Sequence, residues 1–196
     1  MPRLASRTLC FDVMDTLVVD PFHEGLPAFF GLDMSGYLQA KTPGQWEAFE
    51  TARLSEEQFI ATMFQDGRSV DASALRAFLG QSYRWVDGME ALLQDLIARG
   101  HELHAMSNYP VWYHLIEEEL GLSRYLSWTF VSWDQGLRKP DRRAFTRLES
   151  LLGIPGDALT LVDDQPRNIA AARSAGWSAL HFTDAPTLRE ALGLPS

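Results

Sequence analysis

From residue 84 onward the apolar positions switch between two periods. In "VDGMEALLQDLIARG", Met89, Leu92, Leu93, Leu96 and Ile97 recur at helical spacing, with Asp87 as N-cap, Glu90 three residues on and Gly100 as the stop. "ELHAM" reads as a short strand, "VWYHLIEEEL" as a helix ending near Gly121, and "WTFVS" as a strand. "AFTRLESLLG" places Ala144, Phe145, Leu148, Leu151 and Leu152 on one helix face. "ALTLV", "NIAAARSAG" and "SALHF" continue the series as strand, helix and strand, before a short terminal helix. Such alternation predicts βαβ units: an α/β fold with a doubly wound, mostly parallel sheet and helices on both faces.

The stretch before residue 84 is patterned differently. "LCFDVMDTLV", Leu9 to Val18, opens as a buried strand ending at Asp12. Residues 18–83 then show helical periodicity and no clear strand. Trp46 and Phe49 belong to one helix. Ser55 and Gln58 form a capping box ahead of Phe59, Ile60, Met63 and Phe64, and Leu75, Phe78 and Leu79 mark a third helix. The pattern predicts a Rossmann-like core domain from residues 1–17 and 84–196, interrupted by a small all-helical cap domain at 18–83. The cap is expected over the carboxyl ends of the strands, where open α/β sheets place their ligands.

Composition narrows the function classes. The chain has 196 residues, 46% hydrophobic, and a net charge of −9. Non-specific binding to nucleic acid depends on many cations neutralising phosphates, so no nucleic-acid partner is expected. No apolar run is long enough for a membrane span. The start of the chain does not read as a signal peptide, because acids arrive before an apolar region develops. The single cysteine, Cys10, excludes an internal disulfide and fits a cytoplasmic location. Positive charge is nonetheless local: Arg138, Lys139, Arg142 and Arg143 fall within six residues, and Lys139 is one of only two lysines.

Four polar segments follow strand patterns: Asp12, Ser107-Asn108, Lys139-Pro140 and Asp163-Asp164. In a parallel sheet these ends share an edge, so carboxylates, a hydroxyl, an amide and an ammonium would converge. Such a set can hold a hard divalent cation and a phosphate together, with lysine and serine meeting the remaining phosphoryl oxygens.

These segments, in this order, resemble the four motifs of the haloacid dehalogenase superfamily: "LCFDVMDTL", "AMSN", "GLRKPD" and "LVDDQPRNIAAARSAG". The helical insertion after the first motif matches one cap type of that superfamily. The resemblance implies a Mg²⁺-dependent hydrolase of small phosphorylated metabolites. Asp12 would take the phosphoryl group as nucleophile. The metal would be held by Asp12, the backbone carbonyl of Met14 and Asp164, with Asp163 as a further ligand or just behind. Thr16 would support the loop, and Ser107, Asn108 and Lys139 would bind the transferring group.

One position departs from the family pattern. Its phosphatases carry a second aspartate two residues after the nucleophile as general acid and base; here Met14 stands there, and a thioether neither gives nor takes a proton. General acid–base catalysis contributes roughly 10²–10⁴-fold, so the expectation is weakened rather than abolished phosphatase activity. Asp15 faces the other way if the extended geometry continues. Two other functions remain open. A metal-independent dehalogenase also lacks the second aspartate, but it uses an arginine early in the cap, and none lies between Arg7 and Arg53. A catalytically silent fold binding a phospho-ligand or protein rests on Met14 alone. Of the remaining candidates, Arg138, Arg142 and Arg143 read as surface, and Cys10 as buried. The histidines lack metal-ligand spacing. Phe29, Phe30, Tyr37, Trp46, Phe49, Phe59 and Phe64 read as the cap's own core. Substrate identity and oligomeric state are not encoded in any motif.

Overall fold

The computed structural model describes residues 8–194. The amino-terminal residues on which the absence of a signal peptide was argued lie partly outside that range.

Five parallel strands form one sheet: β1 (Thr8–Phe11), β2 (Glu102–Ser107), β3 (Ser127–Val131), β4 (Leu159–Asp163) and β5 (Ser178–His181), in the order β3-β2-β1-β4-β5. β1 is central and buried throughout, which explains its nearly continuous apolar run. Its alternate residues serve opposite faces. Leu9 and Phe11 join one apolar cluster, and Cys10 joins the other. The chain builds outward from β1 through β2 to β3, then crosses back to β4. The carboxyl ends of β1 and β4 therefore flank the point where the winding reverses, the place such sheets reserve for ligands.

On the Cys10 face lie α10 (Arg142–Leu152) and α11 (Pro166–Ser174), which bury Ala144, Phe145, Leu148, Ile169 and Ala172. The opposite face packs against α7 (Met89–Ala98), α8 (Tyr113–Leu120) and α12 (Ala185–Ala191). Local expectations differ at three positions, one of them Leu151 of α10, which is 39% exposed. The N-cap of α7 is Gly88, at φ 79°, and not Asp87, because the turn requires a left-handed residue there. Ile97, on the predicted apolar stripe, is 41% exposed.

Between β1 and α7 the described chain is helical: α1 (Pro21–Glu24), α2 (Leu26–Phe29), α3 (Met34–Ala40), α4 (Gln45–Glu50), α5 (Glu56–Ala61) and α6 (Ala72–Ser82). The capping box at α5 forms as the sequence predicts, the Ser55 hydroxyl accepting from the Gln58 amide at 3.2 Å while the Gln58 side chain accepts from the Ser55 N–H at 2.9 Å. The aromatic residues of this segment do not close a core of their own. Phe49, Phe59, Leu75 and Leu79 share one continuous cluster with Leu9, Phe11 and Leu92. Phe49 stacks on Phe59 at 4.3 Å, and Trp112, from the loop after β2, meets Phe49 edge-on at 4.9 Å. The Trp112 indole then donates to Glu56 at 2.6 Å. Among the described residues no helix is long and apolar enough to cross a membrane.

Because Phe49 is fully buried where the helical segment meets the sheet, Phe49→Ala should cost about 3–5 kcal/mol. Ile97→Ala, at an exposed position, should cost less than about 1 kcal/mol. Urea midpoints of the two variants check the ordering.

Candidate active site

Each strand end delivers its polar residue by a specific local device. The Asp12 amide extends the β1–β4 ladder by donating to the Val162 carbonyl at 2.8 Å, which fixes the carboxylate just past the strand. The chain then curls sharply. The Val13 carbonyl accepts from the amides of Leu17 at 2.8 Å and Val18 at 2.9 Å. Asp15 takes φ 54°, a region aspartate tolerates better than most residues. Its carboxylate accepts from the Asp20 amide at 3.0 Å, which engages Asp15 within its own loop. Within this curl the Met14 carbonyl accepts no hydrogen bond among the described residues.

Ser107 closes β2, and Asp163 closes β4 with Asp164 immediately beyond. Lys139 arrives by another route. A short helix, α9 (Ser132–Gln135), intervenes after β3, so Lys139 sits on a loop rather than at a strand end. Asn108 holds that loop. Its side-chain amide donates to the Lys139 carbonyl at 2.8 Å and its amide oxygen accepts from the Lys139 N–H, also at 2.8 Å. The Asn108 side chain thereby places the lysine backbone. The Lys139–Pro140 peptide is cis.

The ammonium of Lys139 lies 2.9 Å from Asp12 and 2.6 Å from Asp163, with the lysine 1% exposed. Asp163 is itself fully buried. It also accepts from the Gln165 amide at 2.9 Å and from the Asn168 side chain at 3.0 Å, so its oxygens are engaged from within the protein. Asp164 is half-buried and accepts from the Gln165 side chain at 2.5 Å. Carboxylate oxygens of Asp12, Asp163 and Asp164 lie within 4.8 Å of one another. The hydroxyls of Thr16, four residues past Asp12, and of Ser107, at the end of β2, are buried and make no hydrogen bond among the described residues. The loop around Thr16 is braced by backbone bonds to the Val13 carbonyl, one of them from the Thr16 amide at 3.4 Å.

Burial pushes the Asp12 carboxyl well above the usual carboxylate range; Lys139 opposes this, and Asp163 adds to it. Burial likewise raises Asp164. Burial alone would discharge Lys139, but Asp12 and Asp163 outweigh it and hold the ammonium charged. Two of the three clustered acids thus contact one ammonium, and a divalent cation among them would favour their ionised forms. The donor set, all oxygens with an uncommitted carbonyl at Met14, fits a hard cation. Cys10, in the strand below, is inert, its thiol pushed up to about 12 by burial.

Two residues with work at this site escaped the sequence reading. Asn168 sits in the first turn of α11, and its spacing of five from Asp163 was the available signal. Arg138 was taken for surface. Instead its guanidinium lies 2.5 Å from the buried Glu50 and 2.7 Å from Glu47, both on α4, tying the lysine loop to the helical segment. Arg142 and Arg143 are exposed, as expected. A cavity of about 250 Å³ opens between the helical segment and the loops of the sheet, lined by Asp20, Phe22, Tyr37, Trp46, Tyr109 and Trp112 among others.

Residues 7–176 match the family model for haloacid dehalogenase-like hydrolases, and the chain belongs to that family of hydrolases. It is 42% identical over 184 residues to flavin mononucleotide hydrolase 1 of the Arabidopsis thaliana chloroplast, covering 94% of this chain and 75% of that one. Among solved structures it resembles a HAD-like hydrolase from Porphyromonas gingivalis, with TM-score 0.77 at 18% identity, covering 96% and 98% of the two chains. It also resembles a HAD enzyme from Bacteroides thetaiotaomicron, solved with magnesium and inorganic phosphate, with TM-score 0.71 at 14% identity, covering 92% and 96%.

Removing the ammonium leaves buried acids without their counter-charge. Lys139→Met should cost about 3–5 kcal/mol near neutrality in metal-free buffer. Asp12 and Asp164 already bind protons more readily folded than unfolded, so protonation at low pH favours the folded form. The deficit of the variant should therefore shrink between pH 8 and pH 5. Urea titrations at both pH values check this, and a larger deficit at pH 5 contradicts it.

Proposed function

We propose that this hydrolase is a Mg²⁺-dependent phosphomonoesterase acting through a phosphorylated Asp12, on a small phosphorylated metabolite with an aromatic body. The observation that carries the reading is the 2.9 Å contact of the buried Lys139 ammonium with Asp12, beside a cluster of further acids. An ammonium here keeps the nucleophile oriented and offsets charge on the incoming phosphoryl oxygens. The aromatic lining of the adjacent cavity suits a flat ring system, and the 42%-identical relative is named for hydrolysis of flavin mononucleotide.

In this reading residues 18–83 act as a cap domain over the core formed by residues 1–17 and 84–196. Asp12, Asp164 and the Met14 carbonyl would hold the ion, with Asp163 just behind them. When bound, Mg²⁺ would neutralise phosphoryl charge and draw down the Asp12 carboxyl. Asp12 attacks phosphorus as the bond to the alcohol oxygen breaks. The Ser107 and Thr16 hydroxyls are available to donate to the phosphoryl oxygens. Asn108 and Asn168 keep Lys139 and Asp163 in place, and Arg138 fixes the lysine loop to α4. Water then attacks phosphorus, releasing phosphate and restoring Asp12. Because Met14 offers no proton at the family's usual position, turnover on poor leaving groups is lower than an acid there would give. The three acids favour this reading over a metal-free dehalogenase, whose pocket needs no cation.

Steady-state release of phosphate from flavin mononucleotide and p-nitrophenyl phosphate in Mg²⁺ tests the proposal. Asp12→Asn should lower both rates by at least about 10³-fold, and chelation by EDTA should abolish them reversibly. A rate untouched by Asp12→Asn would refute the nucleophile. Halide release from 2-chloropropionate in EDTA would select the dehalogenase instead, and tight binding of fluoroberyllate without any product would select the silent fold.

A further inference from the structure

The cavity between the helical segment and the sheet holds polar groups that the fold itself leaves unused. We infer that it is a ring pocket in which Gln45 and Lys41 recognise the imide edge of a flat heterocycle such as a flavin, a ring N–H flanked by two carbonyls. This deepens the phosphatase reading above and rests on it for the phosphate end of the ligand.

The cavity is bounded by two sets of rings. Phe22 and Tyr37 meet edge-on at 5.6 Å in one set. In the other, Trp46 meets Phe59 and Tyr109 at 5.9 Å and Trp112 at 6.0 Å. Among the described residues no ring contact joins the two sets, so a flat aromatic guest entering between them finds ring faces and edges still unpaired. At about 250 Å³ the space falls just below the roughly 300–1,000 Å³ of whole small-molecule sites, which suits the ring of such a ligand rather than all of it.

The polar groups define which ring. Gln45 opens α4, and its side chain makes no hydrogen bond among the described residues although its Oε1 is buried. A buried amide oxygen without a donor is unfavourable, and a ligand N–H remedies it. The same amide carries an N–H donor beside that oxygen, the complement of an imide N–H and its neighbouring carbonyl. Lys41 follows α3, four residues earlier, and lines the same cavity. Its ammonium has no ion pair among the described residues and lies 5.5 Å from the centre of the Phe22 ring, so it is free to meet the second carbonyl. The turn that carries both side chains is held in place. Lys41 bridges to Phe64, and its carbonyl accepts from the Gln65 side chain at 3.0 Å.

No member of the acid cluster lines this cavity. A flavin phosphate accommodates that separation, because a ribityl chain stands between its ring and its phosphorus. The two places are linked at the end of β2. Tyr109, in the cavity wall, stands two residues past Ser107, with Asn108, which holds Lys139, between them.

Lumiflavin carries the ring without the chain or the phosphate, and in 3-methyllumiflavin a methyl group replaces the imide hydrogen. Quenching of flavin fluorescence during titration with the protein measures both affinities. The wild type should bind lumiflavin about tenfold or more tightly than 3-methyllumiflavin. Gln45→Leu should weaken lumiflavin and bring the two affinities within about twofold of each other. Lys41→Met should weaken both alike and keep their ratio, because the carbonyls survive methylation. Absence of lumiflavin binding, equal wild-type affinity for the two flavins, or a ratio unchanged by Gln45→Leu would overturn the assignment. Hydrolysis of p-nitrophenyl phosphate by the same wild-type preparation separates the two readings. Hydrolysis without lumiflavin binding would overturn the ring pocket and leave the phosphatase. Selective lumiflavin binding with neither that ester nor flavin mononucleotide hydrolysed would support the ring pocket and overturn the phosphatase.

Discussion

The ammonium of Lys139, enclosed between Asp12 and Asp163, is the constraint around which the rest of the molecule is arranged. Any one of these charges buried alone would cost several kcal/mol. Together they are tolerable only if each remaining lone pair and proton is matched. That requirement accounts for the Asn108 clamp on the lysine backbone and for the Asn168 and Gln165 donors to Asp163. The same enclosure serves the chemistry. In the proposed phosphatase reading, a charge held rigidly in a dry site would need no reorganisation when a phosphoryl group arrives.

The sheet topology puts this trio where it can be used. Asp12 and Asp163 end adjacent parallel strands at the reversal of winding, so their separation is set by strand spacing and not by a flexible loop. The helical segment is bound to that edge at several points: Trp112 to Glu56, Arg138 to Glu50, and the Ser132 hydroxyl to the Glu50 carbonyl at 2.6 Å. Arg138 adjoins Lys139 in sequence. The cavity wall and the counter-ion of Asp12 are therefore connected through two consecutive residues, which makes the shape of the cavity and the placement of the charge mutually dependent.

The strands and the helices of the sheet region were legible because their apolar periods are strong and their ends carry Gly or Pro. Asp12, Ser107 and Asp163 were legible for the same reason: a strand end fixes where its polar residue goes. Lys139 was found, but its path was not, because the turn of helix at Ser132–Gln135 has no periodicity long enough to read. The roles of Asn108, Arg138 and Asn168 depend on partners 31, 88 to 91 and 5 residues away in the chain, and only the last spacing is local enough to leave a pattern. The shared core of the helical segment and the sheet was equally hidden, since the aromatic rings of residues 29–64 look the same whether they pack on each other or on Trp112.

The account stands or falls on Asp12 as the group that takes the phosphoryl from substrate. The direct measurement is rapid acid quench of the Mg²⁺-loaded enzyme during turnover of a phosphomonoester, followed by peptide mapping by mass spectrometry. The account predicts an acid-stable, base-labile phosphoryl group on the peptide containing Asp12, at that residue. A phosphoryl group on another side chain, or steady turnover during which Asp12 never becomes labelled, would contradict it.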